Sequence, residues 1–176
     1  AVFRDLKKAG LKRVYLGIES GDHDQFARYV KGPKLDAAKK PIDNIERNKR
    51  AIEKVRELGF DLEVGFIFSG AEDGIKTLKN NVKFIGETKL YETESRLFGP
   101  LRVQAGSAFV TKFRKAGLLG DQLDLERLSY SSKHLDSKVE EIENLFTEWE
   151  KASYNLLKYL RRAKPVYSDQ LSEEER

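Results

Sequence analysis

The hydrophobic residues of this chain follow two spacings, one typical of strands and the other of helices. Residues 13–18 and 61–68 are short, mainly apolar runs, which favour buried β-strands. Between and after them, apolar residues recur every three or four positions, which predicts amphipathic helices. The apolar positions of two of these helices are Ile45, Ile52 and Val55, and Ile75, Leu78, Val82 and Ile85. Strands that alternate with helices predict an α/β fold with a parallel sheet and right-handed crossovers.

Three of the predicted helices end in a glycine between two apolar residues, at Gly10, Gly59 and Gly117. Glycine takes the left-handed conformation that closes a helix, and the next apolar residue packs back on that helix. The first two glycines lead directly into the two predicted strands, which is the order of a βα repeat. A third strand is predicted within residues 94–103, where Pro100 cannot donate to a strand ladder.

Two further segments extend the repeat. Residues 31–42 contain two prolines and clustered charge, which predicts an exposed loop. Residues 136–163 predict a long amphipathic helix that docks on the barrel or on a partner. Its apolar face is formed by Val139, Ile142, Leu145, Phe146, Trp149, Leu156, Leu157 and Leu160. We expect Trp149 to be a packing residue and the charges of residues 140–150 to form a solvated face.

Length and charge narrow the class of protein. The 176 residues are fewer than the roughly 200 to 250 of a closed eight-fold barrel, which predicts one domain from a larger βα barrel. The net charge of +4 comes from interspersed charges, which favours weak attraction to anions over a nucleic-acid footprint. No apolar run approaches the roughly 18 residues of a membrane span, and the N-terminus does not resemble a secretory signal. These features predict a soluble, cytoplasmic protein without membrane partners.

The chain contains no cysteine, which excludes a disulfide framework, a thiol nucleophile and cysteine-ligated metal within these residues. Its two histidines, His23 and His134, are far apart in the sequence, so we expect surface or capping roles rather than a metal site. Methionine is also absent, which predicts a fragment, a processed chain or a written sequence from which methionines are missing.

Strand parity predicts a ligand pocket, because alternate residues of a strand face opposite sides. The residues left on the inner face are Tyr15, Gly17, Glu19, Glu63, Gly65 and Ile67. A glycine near the carboxyl end of a strand lets a ligand approach closely, and parallel barrels bind ligands at that end. Glu19 is then an acceptor at the barrel mouth, suited to sugar hydroxyls. The alternatives are a surface or capping role for Glu19 and simple interior packing for Gly65 and Ile67.

The residues after each strand are suited to helix capping. Ser20 or Asp22 is expected to cap the helix after the first strand. Asp73 is expected to cap the helix that begins near Gly74.

Residues 17–21 (GIESG), residues 65–72 (GFIFSGAE) and the later Gly106-Ser107 resemble, in order and spacing, the second half of radical S-adenosylmethionine enzymes. In that family a partial barrel of six βα units binds S-adenosylmethionine on a four-iron, four-sulfur cluster. Reduction cleaves the cofactor to a 5′-deoxyadenosyl radical, which abstracts hydrogen from the substrate. The cluster ligands are the three cysteines of a CxxxCxxC loop after the first strand, which this chain lacks.

The resemblance implies where the cofactor would contact this half of the barrel. Glu19 occupies the fourth-strand position whose polar side chain contacts the cofactor ribose, and Ser20 follows it in the matched motif. Lys31, in a basic stretch that also contains Arg28, resembles the cation near the methionyl carboxylate, and a cation suits that anion.

The adenine side is implied by the fifth and sixth strands. Gly65 and Ile67 match the start of the Gly-x-Ile-x-Gly-x-x-Glu pattern near the adenine, and Glu72 matches its final glutamate. Ser69 stands where the family prefers glycine, which departs from the pattern. Residues 97–103 are expected to add apolar contact to the adenine.

The expected architecture is a parallel βα repeat that forms the second half of a partial TIM-type (β/α)6 barrel, with a C-terminal helical extension. The boundaries are 1–119 for the half-barrel, 120–165 for the extension and 166–176 for a flexible tail. The chain would form part of a radical S-adenosylmethionine enzyme and would be inactive alone. The alternative is a non-catalytic βα module whose C-terminal helix and basic loops bind a protein or RNA. The substrate stays open among methylation, methylthiolation, RNA modification and cofactor assembly.

Overall fold

Two parallel strands form the centre of the fold in the computed structural model, which describes residues 2–29, 43–93 and 95–168, with only the backbone at 154, 155 and 157–168. Strand β1 (Arg13–Glu19) pairs with β2 (Asp61–Phe66), with Gly17 opposite Gly65. The helices of the repeat are α1 (Val2–Lys8), α2 (His23–Tyr29), α3 (Asn44–Glu57), α4 (Ile75–Glu87) and α5 (Ala108–Lys115), with a 3₁₀ turn at Leu90–Glu92. The remaining elements are β3 (Val103–Gln104), β4 (Leu119–Asp124), β5 (Ser129–Ser132) and α6 (Ser137–Ser168).

The predicted strand parity is confirmed by the pattern of burial. One face of β1 and β2 packs against the helices in a single apolar cluster, which includes Val14, Leu16, Ile18, Leu62 and Val64. Helix α3 contributes Ile45, Ile52 and Val55 to this cluster, as its spacing predicts. On α4 the prediction is wrong for Val82, which is 45% exposed, while Phe84 is buried in its place.

The glycine closures are confirmed at all three positions. The backbone φ is +99° at Gly10, +70° at Gly59 and +70° at Gly117, the left-handed region in which a side chain is strained. Each glycine donates to a carbonyl of the last turn, and the apolar residue after it donates to the carbonyl one residue further back, for example from Leu118 to Phe113 at 2.8 Å. This is the two-bond closure expected when a helix ends at a left-handed residue.

Alanine at Gly117 and at Gly86 is expected to change stability in opposite directions. At Gly117 a methyl group meets no atom within 4 Å, so the loss is conformational and should be about 1 kcal/mol. Gly86 lies on the exposed side of α4 and has an ordinary helical backbone. Alanine there should therefore raise the free energy of unfolding by about 0.5–1 kcal/mol. Urea unfolding of both variants measures the two changes in stability. An increase in stability at both sites would contradict the left-handed closure at Gly117.

The third predicted strand is reduced to a single parallel bridge between Ser69 and Pro100. Phe68 donates to Gly99 at 3.0 Å and Leu101 donates to Ser69 at 2.7 Å, on either side of the proline. The chain then turns into β3, which pairs antiparallel with β5.

The predicted helical extension over 120–165 begins with two strands, and its long helix follows them. Strands β4 and β5 form an antiparallel hairpin, and β5 lies between β3 and β4 in a three-stranded sheet. Helix α6 begins at Ser137 and continues to Ser168, which includes the first residues of the predicted tail. The rest of that tail and the predicted loop at 31–42 lie outside the described residues.

Helix α6 packs against the rest of the fold through one side only. Val139 is buried with Phe68 and Leu78, and Ile142 and Phe146 pack against this group. The remaining apolar positions with described side chains are exposed, namely Leu145, Trp149 and Leu156. The predicted docking is confirmed as far as residues 149–150, where Trp149 lies edge-on to Phe98 with ring centres 5.8 Å apart and Glu150 Oε1 accepts from Leu97 N–H. None of the described helices combines the length and apolar composition needed to cross a bilayer.

Candidate functional site

A cavity of about 700 Å³ lies at the carboxyl ends of β1 and β2. It brings together Glu19 from β1 with Gly65 and Ile67 from β2 and its continuation. These three residues were predicted from two separate strands, and the structure places them on one wall. The opposite walls come from residues 96–102, the β4–β5 turn and helix α6.

Glu19 lines the cavity and has a strained backbone conformation. Its φ of +65° is in a region that a glutamate rarely adopts. Ser20 N–H donates to the Ile18 carbonyl at 2.8 Å, which closes a three-residue γ-turn around Glu19. The Glu19 carbonyl accepts from Ile67 N–H at 2.7 Å, so the turn is held by the neighbouring strand. Backbone strain of this kind concentrates at functional sites.

The Glu19 carboxyl group is partly shielded from water. The side chain is half-buried, and this desolvation raises the pKa of Glu19 above its usual value of 4.5. No hydrogen bond or ion pair joins its carboxylate to another described side chain. Glycine at position 17 makes room for it, because a methyl group there would lie 2.7 Å from Glu19 Oε1. Glu19 is therefore an acceptor that a ligand hydroxyl can use.

Gly65 leaves space that a neighbouring tyrosine fills. A methyl group on Gly65 would lie 2.2 Å from Tyr15 Oη, so only glycine permits the tyrosine to lie across β2. Tyr15 lines the same cavity and is 63% exposed. The close-approach role that parity predicts for Gly65 is thus taken by an inner-face side chain of β1.

Ser20 lies outside the cavity, in a buried polar network. Its hydroxyl donates to Gln25 Oε1 at 2.6 Å and accepts from Asp22 N–H at 2.9 Å. Asn81 of α4 donates to the same Gln25 oxygen at 3.0 Å. The predicted capping role is confirmed for Asp22, whose Oδ1 accepts from Gln25 N–H at 2.7 Å.

The predicted capping role of Asp73 is wrong. Helix α4 is capped by Gly74 without a side-chain hydrogen bond. The Asp73 side chain, 0% exposed, instead accepts from Gln25 Nε2 at 2.6 Å and from the Arg28 guanidinium. Burial raises the pKa of Asp73, and the hydrogen bonds from Arg28 and Gln25 oppose that rise. Arg28, in the predicted cofactor-binding basic stretch, is thus committed to an ion pair.

Glu72 is also outside the cavity. Its carboxylate pairs with Lys112 of α5, and its backbone N–H donates to Tyr29 Oη at 3.1 Å. Lys31 lies outside the described residues. Of the six predicted site residues, the structure therefore brings three into one cavity.

The prediction of a surface or capping role is wrong for His134, whose side chain is 1% exposed. Its Nδ1 lies 3.1 Å from the Gly70 carbonyl and its Nε2 lies 2.6 Å from Glu143 Oε2. Glu143, predicted on a solvated face, is buried and also accepts from the Ser69 hydroxyl. Because both neighbours of the imidazole are acceptors, the doubly protonated ring fits best. Burial alone would lower the pKa of His134, but Glu143 and the Gly70 carbonyl raise it.

Helix α6 also shapes the cavity wall. Glu150 Oε1 accepts from Leu97 N–H at 2.7 Å, and Phe98 stacks on Phe146 with ring centres 4.6 Å apart. Sequence reasoning missed these contacts and the basic side chains of the cavity, which are Arg96, Arg102, Arg127 and Lys151. They come from three separate segments, namely residues 96–102, the β4–β5 turn and α6, so no local spacing marks them.

Comparison with known proteins supports a fold assignment. No protein-family model matches the chain. The chain is 36% identical over 81 residues to 4′-phospho-dehydrooxetanocin synthase from Priestia megaterium, which covers 46% of this chain and 10% of that protein.

Two solved structures share the fold at a TM-score of 0.67 and 18% identity. Both are of the cobalamin-dependent S-adenosylmethionine radical enzyme OxsB, one with aqua-cobalamin and S-adenosylmethionine bound and one with aqua-cobalamin alone. The match covers 93% of this chain and 27% of OxsB, so the chain spans only part of these relatives. The chain thus has a mixed α/β fold similar to part of a radical S-adenosylmethionine enzyme.

Proposed function

We propose that this chain forms the nucleoside-contacting side of an S-adenosylmethionine pocket, as the second half of a partial (β/α)6 barrel in a radical enzyme. The observation that carries the proposal is the convergence of Glu19, Gly65 and Ile67 on one cavity at the carboxyl ends of parallel strands. The OxsB structure with S-adenosylmethionine bound adds support at the level of fold.

The described residues fit the nucleoside part of the cofactor. Glu19 offers a carboxylate without a described cationic partner, which suits the two hydroxyls of a ribose. Ile67 offers an apolar contact for the adenine ring. Ser20 and Glu72 lie behind this wall, where we assign them a supporting role through the Gln25 network and the Lys112 pair. Lys31 keeps its proposed role toward the methionyl carboxylate.

The iron-sulfur cluster does not fit this chain. It requires thiolate ligands, and the sequence has no cysteine. No group of three or more His, Cys, Asp or Glu side chains suited to a metal occurs within 2–29, 43–93 and 95–168. When bound, cofactor and cluster together would supply the 5′-deoxyadenosyl radical, while residues of this chain bind and orient the nucleoside. In our proposal the cluster ligands belong to another part of the parent protein.

Substitution of Glu19 tests the ribose role in the full-length protein that contains this chain. Glu19→Gln and Glu19→Ala should weaken S-adenosylmethionine binding about 10- to 100-fold, the loss of a charge-assisted hydrogen bond. Equilibrium dialysis with labelled cofactor measures this loss. The control is Glu63→Gln, because Glu63 is an inner-face glutamate on β2 that does not line the cavity. Unchanged affinity in both Glu19 variants would overturn the ribose role.

The alternative function is a non-catalytic module that binds a protein or RNA partner. The exposed side chains Leu145, Trp149 and Leu156 on α6 favour this alternative. The sequence upstream of Ala1 separates the two functions. A CxxxCxxC motif about 100 or more residues before Ala1 supports the radical enzyme, as the length of a barrel unit implies. An unrelated upstream domain would count against it.

A further inference from the structure

The lining of the cavity contains more cationic side chains than carboxylates. Four lining side chains are cationic, namely Arg96, Arg102, Arg127 and Lys151, and two are carboxylates, namely Glu19 and Glu150. Glu150 Oε1 accepts a hydrogen bond from the backbone N–H of Leu97. The cavity is therefore acidic at the strand ends and basic at the wall near α6 and the β4–β5 turn.

Arg102 and Arg127 share a single carboxylate. Asp124 Oδ2 lies 2.8 Å from Arg127 Nη1 and 3.9 Å from Arg102 Nη1. One negative charge thus serves two guanidinium groups, which are 45% and 51% exposed. Burial and the charges of Arg127 and Arg96 lower the pKa of Arg102, although Asp124 opposes that effect. Mutual repulsion of this kind is relieved when an anion binds between the cations.

The backbone holds these two arginines on neighbouring segments. Asp124 Oδ1 accepts from the backbone N–H of Glu126 and of Arg127 at 3.0 and 3.1 Å, which fixes the turn between β4 and β5. Leu128 follows with a positive φ of 49°, and its carbonyl accepts from Ala105 N–H at 2.7 Å. Val103, next to Arg102, pairs with Tyr130 of β5. The turn is thus built and anchored beside Arg102, which preorganises the pair.

We propose that Arg102 and Arg127, with Lys151 lining the same cavity, bind a phosphate group of a small-molecule substrate in this cavity. The inference deepens the proposed function, because it assigns the substrate side of the same cavity. Guanidinium groups bind phosphate oxygens in pairs, and a phosphate monoester carries more negative charge than a carboxylate. The volume of about 700 Å³ is in the upper half of the usual range for small-molecule sites, which leaves space beside the cofactor nucleoside.

Binding of inorganic pyrophosphate to the full-length protein tests this site. Calorimetry should show at least a tenfold loss of pyrophosphate affinity in Arg102→Gln/Arg127→Gln, and a smaller loss in Arg102→Lys, which keeps the charge without the planar fork. Arg114→Gln is the control, because Arg114 is an exposed arginine of α5 that does not line the cavity. Full pyrophosphate affinity in a double variant that unfolds at the wild-type temperature would overturn the inference.

Comparison of the Glu19 and arginine variants tests the ribose role and the phosphate site separately. Glu19→Gln should weaken S-adenosylmethionine but not pyrophosphate, and the arginine variant should do the reverse. If Glu19→Gln leaves S-adenosylmethionine binding unchanged while the arginine variant still weakens pyrophosphate binding, only the ribose role is overturned. If the arginine variant leaves pyrophosphate binding unchanged while Glu19→Gln still weakens S-adenosylmethionine binding, only the phosphate site is overturned.

Two further ligands test the source of the anion. If the arginine variant weakens S-adenosylmethionine but not 5′-methylthioadenosine, which lacks the carboxylate, the arginines bind the cofactor and the substrate assignment is wrong. If a short single-stranded RNA binds far more tightly than pyrophosphate with the same arginine dependence, the small-molecule assignment is overturned in favour of nucleic acid.

Discussion

Replacement of Glu143 by alanine is expected to lower the free energy of unfolding by about 3–5 kcal/mol, the usual loss when one partner of a buried ion pair is removed. Glu143 is the buried acceptor that joins α6 to the rest of the fold, through the Ser69 hydroxyl and His134 Nε2. Without it, a buried imidazolium and a buried hydroxyl lose their partner together. Urea unfolding followed by far-ultraviolet circular dichroism measures the change.

Two other variants of α6 make the Glu143 prediction specific. Glu141→Ala removes an exposed glutamate from the same helix and should change stability by less than about 0.5 kcal/mol. Glu143→Gln keeps an acceptor for the serine and should therefore lower the free energy of unfolding by less than Glu143→Ala does. A loss below about 1 kcal/mol for Glu143→Ala would show that the buried contact contributes no more than a surface pair.

The same contact should make stability depend on pH. The folded state raises the pKa of His134 above its ordinary 6.5, so the folded protein binds this proton more tightly than the unfolded chain. The resulting stabilisation is fully present below about pH 6 and is lost as pH rises through the folded-state pKa. The stability difference between wild type and His134→Gln should therefore shrink from pH 6 to pH 9. A difference that grows with pH would contradict the charged imidazolium.

Local patterns predicted the wall of the cavity that the strands provide. The period of two along β1 and β2 fixes which side chains face the helices, so Glu19, Gly65 and Ile67 could be assigned to the inner face from sequence. Left-handed closure at Gly59 likewise depends only on residues within one turn. These features are local, which is why the sequence is enough to predict them.

Contacts between remote segments could not be predicted in this way. The β4–β5 hairpin contains no valine, isoleucine or threonine, so its residues 119–124 and 129–132 carry little strand propensity. Arg127 reaches the cavity only because that hairpin pairs with β3. Glu143 lies on the charged stretch of α6, and its burial depends on the docking of that helix on Phe68. Sequence spacing carries no signal for such tertiary contacts.

Asp73 shows how burial can override a local preference. An aspartate just before a helix normally caps it. Here the side chain points into the interior, because Gln25 and Arg28 of α2 satisfy it there. The network thereby ties α2, which follows β1, to the loop that follows β2.

Replacement of Arg28 by alanine is accordingly expected to lower the free energy of unfolding by about 3 kcal/mol at pH 7, because it leaves the Asp73 carboxylate buried without its cation. Burial would then raise the pKa of Asp73 further. A carboxyl group whose pKa is higher in the folded state favours folding below its unfolded pKa and disfavours it as pH rises through the folded value. The loss in Arg28→Ala should therefore be smaller at pH 4 than at pH 7, as urea unfolding at the two values would measure.

A second substitution at Asp73 tests whether the buried charge causes this loss. Asp73→Asn keeps an acceptor for Gln25 and removes the charge, so Arg28→Ala/Asp73→Asn should be more stable at pH 7 than Arg28→Ala alone. The double variant should also lose the pH dependence of the single variant, because no carboxyl group titrates at position 73. If Asp73→Asn instead adds a further loss in the Arg28→Ala background, the carboxylate contributes through hydrogen bonds that do not need Arg28, and the ion pair is not what holds α2 against the end of β2.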